Sequence, residues 1–236
     1  MSENAERLTR TIRWLQAYAA LMTIALVVLF FRSGTETDGV LRARGLVIED
    51  DAGRERILIG APIPEAANRV RTDEARVREA WGPRFSEYSE EYMGWYQDYN
   101  HSTNGIFILS EDGFDRIALG DPKPDPNIGK RIGPSTGMVI NDAEGFERMG
   151  YGLLDIDGTY RVTLGLDSDR STEGLVLFLD DLTGEVGVSV GDRGDRIFLG
   201  KASAGHGLSS LPDPFQGLLL RRDGEIVYEN NVAKDR

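Results

Sequence analysis

The chain has 236 residues, 40% of them apolar, no cysteine and a formal net charge of −12. That length and apolar content suit a globular chain with a sizeable core. The acidity weighs against binding to nucleic acid or to anionic lipid. Without thiols there are no disulfides and no thiolate metal sites.

Residues 1–13 read as a short arm carrying Arg7, Arg10 and Arg13. From Trp14 to Phe31 no charged residue occurs. At about 1.5 Å per residue, a helix over that stretch spans roughly 27 Å, close to a bilayer core. Trp14 and Tyr18 stand where membrane-interface aromatics belong. No small-x-small cleavage site follows Phe31, so residues 14–32 read as an uncleaved transmembrane helix rather than a signal peptide. The arginines of the arm outweigh Arg32 and put the amino terminus in the cytoplasm, with the remainder periplasmic or extracellular. Residues 33–44 form a polar linker.

The rest of the chain is organised by a repeat. Gly followed by three large apolar residues occurs at Gly45, Gly105, Gly137, Gly174 and Gly217. In the first three copies a second Gly follows at Gly53, Gly113 and Gly145, an Arg at Arg56, Arg116 and Arg148, and a closing Gly at Gly60, Gly120 and Gly152. An apolar run, a turn signal and an Arg-apolar-x-apolar-Gly run read as a β-hairpin. Asp-Gly pairs at Asp112-Gly113, Asp157-Gly158 and Asp223-Gly224 supply tight turns. Units three and four extend into three-stranded meanders, and the fifth is truncated. Strand alternation turns Ile57, Ile59, Ile117, Leu119, Val162, Leu164, Ile197 and Leu199 toward one core, with the arginines facing away. The first strands, apolar throughout, suggest burial on both faces or contact with a neighbouring unit.

Residues 62–104 interrupt the repeat. Glu65 to Ala80 reads as a helix, Gly82-Pro83 breaks it, and Phe85, Tyr88, Tyr92, Trp95, Tyr96 and Tyr99 recur at helical spacing. These six aromatics are the candidate partner-binding residues, because an insertion in a repeat often carries the binding face and Tyr and Trp favour interfaces. The competing reading has them capping the β core. The stretch 121–127 is a stiff Pro-rich loop, and 230–236 is a tail.

Little points to catalysis. His101 and His206, the only histidines, lie in small-residue or polar loops and read as solvated. No Gly-x-Ser-x-Gly, P-loop or dinucleotide fingerprint occurs. Asp167 to Glu173 alternates like a calcium loop but lacks its Gly and its closing Glu. No catalytic residue, cofactor or metal site is therefore expected. The regular arginines read as a strand face paired to neighbouring carboxylates rather than as an anion-binding ladder.

The unit Gly-apolar-apolar-apolar-x-Asp-x-x-Gly-x-x-Arg-apolar-x-apolar-Gly resembles repeats in some uncharacterised, membrane-anchored bacterial proteins. The resemblance covers Gly45–Gly60, Gly105–Gly120 and Gly137–Gly152, and the later units loosely. The interruption between Gly60 and Gly105 departs from the close succession of units in those proteins. The resemblance implies architecture and anchoring, and no activity.

The expectation is a mainly β protein. One transmembrane helix precedes a hairpin and meander domain over 45–229, arranged as a prism, propeller or solenoid, with a helical insertion. The expected role is a non-enzymatic accessory subunit of a larger membrane complex, of the respiratory or photosynthetic kind. Its partners would be the subunits of that complex and, through residues 14–31, the lipid bilayer. The alternative is an anchored surface module binding a glycan or peptide. A carboxylate-dependent hydrolase ranks behind both, since no pair of acids stands out from those of the turns.

Overall fold

The computed structural model describes residues 2–33, 41–168, 174–192, 194–206 and 211–235. The chain divides into two units, Met1–Ala43 and Arg44–Arg236.

The first unit is a helix, α1 (Ser2–Ser33). Its stretch Arg7–Val28 is long and apolar enough to cross a membrane or to serve as a signal sequence. The expected arm is thus part of the helix, and the apolar span begins before Trp14. Trp14 and Tyr18 are exposed on α1.

The second unit carries twelve strands: β1 (Gly45–Glu49), β2 (Glu55–Gly60), β3 (Asn104–Leu109), β4 (Asp115–Asp121), β5 (Ser135–Asn141) and β6 (Glu147–Ile156), then β7 (Thr159–Leu166), β8 (Leu175–Asp180), β9 (Glu185–Asp192), β10 (Asp195–Ala202), β11 (Phe215–Arg222) and β12 (Glu225–Asn231). They form one antiparallel sheet whose spatial order is the sequence order, open at β1 and β12. The units therefore do not close into a prism or propeller, nor stack as a solenoid. Each hairpin joins the next edge to edge. The expected tail begins inside β12 and continues as a 3₁₀ turn, Val232–Asp235.

The Asp and Arg of the repeat form a clasp. Asp50 Oδ1 accepts from the backbone N–H of Ala52 (3.0 Å) and Arg54 (3.1 Å), closing the turn, while Oδ2 accepts from Arg54 Nε (2.8 Å) and Arg56 Nη1 (3.1 Å). Asp142 does the same with Glu144 N and Phe146 N (both 2.9 Å) and Arg148 Nε (2.8 Å). Asp180 binds Leu182 N and Thr183 N (both 3.0 Å) and Arg161 Nε (2.8 Å). In the second copy Ser110 replaces the acid, its Oγ accepting from Phe114 N (3.0 Å). The arginines also tie successive units together: Arg56 Nε donates to Leu109 O and Arg116 Nε to Asn141 O, both 3.1 Å. Desolvation would raise the Asp50 carboxyl, but the bonds from Arg54, Arg56 and Ala52 outweigh it and hold the pKa at about 2.

The two faces of the sheet are opposite to the sequence expectation. The side chains that become buried are Leu58, Phe107, Ala118, Val139, Val176, Phe198 and Leu219, which point the same way as the arginines. Ile57, Ile59, Ile117, Leu119, Val162, Leu164, Ile197 and Leu199 are half-buried or exposed on the other side. β1, apolar from Leu46 to Ile48, is exposed along its length. The strands are apolar on both faces, so the loops decide which face is covered. The insertion, the segment 122–134 and residues 203–206 and 211–214 provide the cover.

Backbone closeness on the covered face accounts for the bracketing glycines. Gly45, Gly60, Gly105, Gly120, Gly137 and Gly152 are successive register partners across β1 to β6. A Cβ on Gly105 would stand 1.9 Å from Leu119 O, a distance no side chain tolerates.

The insertion is helical in shorter pieces than its composition predicts. Residues 65–69 are not helical; a 3₁₀ turn Val70–Thr72 precedes α2 (Glu74–Ala80), which Asp73 caps by accepting from Ala75 N and Arg76 N. The reason is a pair of buried arginines. Arg69 forms a two-pronged ion pair with Asp115 (2.7 and 2.6 Å) and lies 4.2 Å from the Phe107 ring centre. Arg71 donates to His101 Nδ1 (3.2 Å) and to Asp125 O. Satisfying both cations pulls the chain out of helical geometry. A 3₁₀ segment Gly82–Tyr88, kinked at Ser86 (φ 46°), leads into α3 (Ser89–Tyr96).

Candidate functional site

The insertion carries its own core. Val70, Val77, Trp81, Tyr92, Met93, Tyr96 and Phe146 cluster together, with Phe85, Tyr99 and Phe114 packed against them. Phe85 stacks on Tyr92 with ring centres 4.0 Å apart, and Trp81 Nε1 donates to Glu144 O (2.7 Å), fastening the insertion to the β5–β6 hairpin. Tyr92 is 1% exposed and its hydroxyl donates to Asn127 O (2.7 Å); Tyr96 is buried and donates to Arg71 O (3.2 Å). Burial pushes both phenols well above their ordinary pKa. Of the six candidate partner-binding aromatics, Tyr88 (58% exposed) and Trp95 (50%) present an open surface. Phe85 and Tyr99 are part-buried against the cluster.

Neither histidine is simply solvated. His101 is half-buried, with Nε2 3.0 Å from Tyr96 O and Nδ1 accepting from Arg71 Nε. One neutral tautomer meets both bonds. Burial first, then the Arg71 charge, lowers its pKa to about 4. His206 stacks on Phe178 (4.8 Å between ring centres) and stands 4.0 Å from Glu185 Oε2. Among the described residues no group of His, Asp and Glu is arranged to hold a metal ion. Asp169 to Glu173 of the calcium-like run lie outside the described residues.

Two features of the second unit stand out instead. The first is the uncovered face. One register line across it reads Leu46, Ile59, Ile106, Leu119, Met138, Tyr151, Leu164, Leu177, Val188, Leu199, Leu218 and Asn230. The parallel line reads Ile48, Ile57, Ile108, Ile117, Ile140, Met149, Leu166, Leu175, Val190, Ile197, Leu220 and Tyr228. Every position but Asn230 is apolar, and none is buried; exposure reaches 56% at Leu199. Leu153, Val162, Leu179 and Val186 widen the stripe at β6 to β9.

The second is a cleft of about 490 Å³ on the covered face. The middle register line there carries Val139 on β5 and Val176 on β8, but Gly150 and Gly165, paired directly, on β6 and β7. This break in the apolar line, with Glu147 Oε1 2.2 Å from where a Cβ on Gly150 would stand, separates the cluster around Phe107 from the cluster around Phe198. Arg84, Lys123, Asn127, Lys130, Arg131 and Arg148 line it, with Glu147 and Asp167 the acids.

The histidine partners, the stripe and the cleft all escape a reading of the sequence alone. One signal was present for the cleft: Gly150 stands where the first two copies carry Leu58 and Ala118. Comparison with known protein families, with curated proteins and with solved structures finds no match to this chain.

Proposed function

We propose that the chain is a non-enzymatic, membrane-anchored structural subunit of a larger membrane assembly, joined to it through the apolar face of its sheet. The two-line apolar stripe, unbroken from β1 to β11 and continued by Tyr228 on β12, carries this reading. Soluble monomers rarely expose contiguous apolar patches of more than about 300–600 Å². Strands spaced by ~4.8 Å, taken over two residue pairs of ~6.8 Å, give the stripe roughly 700 Å². That approaches the ~800 Å² per partner of a stable protein interface.

The occupant we assign is a second copy of the chain. An apolar stripe with no charge within its two lines is self-complementary, and two such sheets pack face to face about 10 Å apart. A bilayer suits the face less well, because the hairpin ends beside it carry exposed Asp51, Glu111 and Asp112, which anionic headgroups repel. Anchoring through α1, with the amino terminus cytoplasmic and the β unit on the outer side, completes the proposal; the apolar span of α1 supports it.

Mild-detergent extraction followed by native mass determination tests the assembly. The expected result is an oligomer, which Leu177→Asp combined with Leu199→Asp converts to folded monomer. A wild-type monomer with no partner sinks the docking reading. A complex with a different protein, dissolved by the same double substitution, keeps that reading and replaces the second copy as occupant. Orientation is read separately. The chain has no native cysteine, so Asp181→Cys should react with an impermeant thiol label in spheroplasts. Labelling only after lysis reverses the assigned topology.

A further inference from the structure

The cleft over Gly150 and Gly165 has the features of a built binding site, on the opposite face from the docking stripe. Its floor is the bare backbone of Gly165, while the Glu147 carboxylate lies over Gly150. No atom of the described residues lies within 4 Å of the position a Cβ on Gly165 would take, so the space above that glycine is open. Its wall is a firmly held loop. Lys123 N donates to Ser135 O (2.6 Å) and Asp125 N to Asn100 O (2.9 Å), while the Asp125 carboxylate accepts from Asn100 N and Arg131 N, both 2.8 Å.

The lining charge runs against the chain. Five cations, Arg84, Lys123, Lys130, Arg131 and Arg148, face two acids, Glu147 and Asp167, in a protein of net charge −12. Three of the arginines are answered by carboxylates: Arg84 by Glu144 (2.9 Å), Arg131 by Glu147 (3.4 Å) and Arg148 by Asp142 (2.6 Å). Among the described residues neither lysine forms an ion pair. Lys123 is only 5% exposed, and its Nζ donates to a single protein acceptor, Tyr151 O (3.1 Å). An ammonium carries three donors, and burying them without acceptors is costly. Asn127, 2% exposed, lines the same cleft, and its buried Nδ2 has no protein partner. Two buried side chains with donors to spare, beside an open, cation-lined space, define an acceptor-rich guest.

We propose that this cleft binds a small ligand bearing an oxyanion, a carboxylate or a phosphate, held by Lys123 and Lys130 with Asn127 as a further donor. The cavity is large enough for a monosaccharide-sized molecule. An acidic sugar is one carrier of that group and a phosphorylated metabolite another. Burial, reinforced by Arg131 and opposed by Glu147, lowers the Lys123 pKa to about 8. The binding cation is thus present at neutral pH and lost as the solution becomes alkaline.

The test is calorimetric titration of the full-length protein in detergent micelles with inorganic phosphate, glucuronate and, as the neutral control, glucose. Binding of phosphate or glucuronate with a Kd of millimolar or below, and none of glucose, is expected; which anion binds tells phosphate from carboxylate. Gly165→Val fills the open floor without touching a charged group and should weaken binding at least tenfold at unchanged Tm. Lys130→Gln, on an exposed side chain, should weaken it severalfold and reduce its salt dependence. Affinity should fall between pH 7 and pH 9. No binding of either anion, equal binding of glucose, or full affinity in both variants overturns the proposal.

Discussion

The two faces of this sheet are made from the same strands, and nearly the same residue types, yet they hold the molecule in different ways. On the covered face, Phe107, Leu58 and Phe198 are fully buried beneath loops and the insertion, and Arg56, Arg69 and Arg148 are each paired with a carboxylate. On the other, Ile108, Leu119 and Leu177 form an equally apolar layer with nothing from the described residues over it. The difference teaches that strand hydrophobicity alone does not make a core. A core forms where a second layer excludes water, and here the second layer comes from loops on one side only.

The comparison is broken most severely at the joint between insertion and sheet. Arg69→Met leaves Asp115 buried without its cation and should cost about 3–5 kcal/mol in a urea titration. A paired experiment sharpens it. Phe107→Ala on the covered face should lose about 3–5 kcal/mol, whereas Ile108→Ala, next in the same strand, should lose under about 1 kcal/mol in a monomeric preparation. Similar losses at both positions would show the open face to be buried in the monomer.

Acid provides a smaller, graded effect confined to the covered side. His101 is held neutral with a pKa of about 4, while an unfolded imidazole titrates near 6.5. Between these values the unfolded chain binds the extra proton, so stability rises with pH across the window and falls on acidification through it. The clasp acids Asp50, Asp142 and Asp180 are all depressed; desolvation would raise each, but hydrogen bonds from turn amides and arginines prevail. Their contribution is intact above the ordinary carboxylate value and is lost as the pH falls through the depressed values, about 2 for Asp50. Thermal melts from pH 7 to pH 3 should therefore show a decline beginning near pH 6.5, before the carboxylate transition. A Tm constant down to pH 4 would remove His101 from the account. The smallest effect belongs to Gly165→Ala: a Cβ there meets open space, so a gain of about 0.5 kcal/mol is expected from the stiffer strand.

Much of the fold was legible in the chain. Gly-Asp-Gly-Arg spacing marks the hairpins because each of those residues acts locally. The Asp closes the turn, the Arg clasps it, and the glycines let backbones approach. Which face becomes the core was not legible. In Arg56-Ile57-Leu58-Ile59 both alternating sets are apolar, and period-two patterning is silent when neither face is polar. The short helices of the insertion were obscured for another reason: Arg69 and Arg71 look like solvent-facing helix residues until Asp115 and Asp125, far along the chain, are brought to them. The cleft depends on the same kind of distant meeting. Lys123 lies in a loop that reads only as stiff, and its significance comes from landing above Gly150 and Gly165.

Strand order equal to sequence order has a consequence for how such a chain can grow. Every strand pairs only with its immediate predecessor and successor. The sheet therefore behaves as a nearest-neighbour polymer whose hairpins can zip up from any point. Duplicating one Gly45–Gly60 unit would lengthen the sheet by about 10 Å. The apolar lines would continue across the new pair of strands, so the length of the face is a quantity that unit number can set, like the rungs of a ladder.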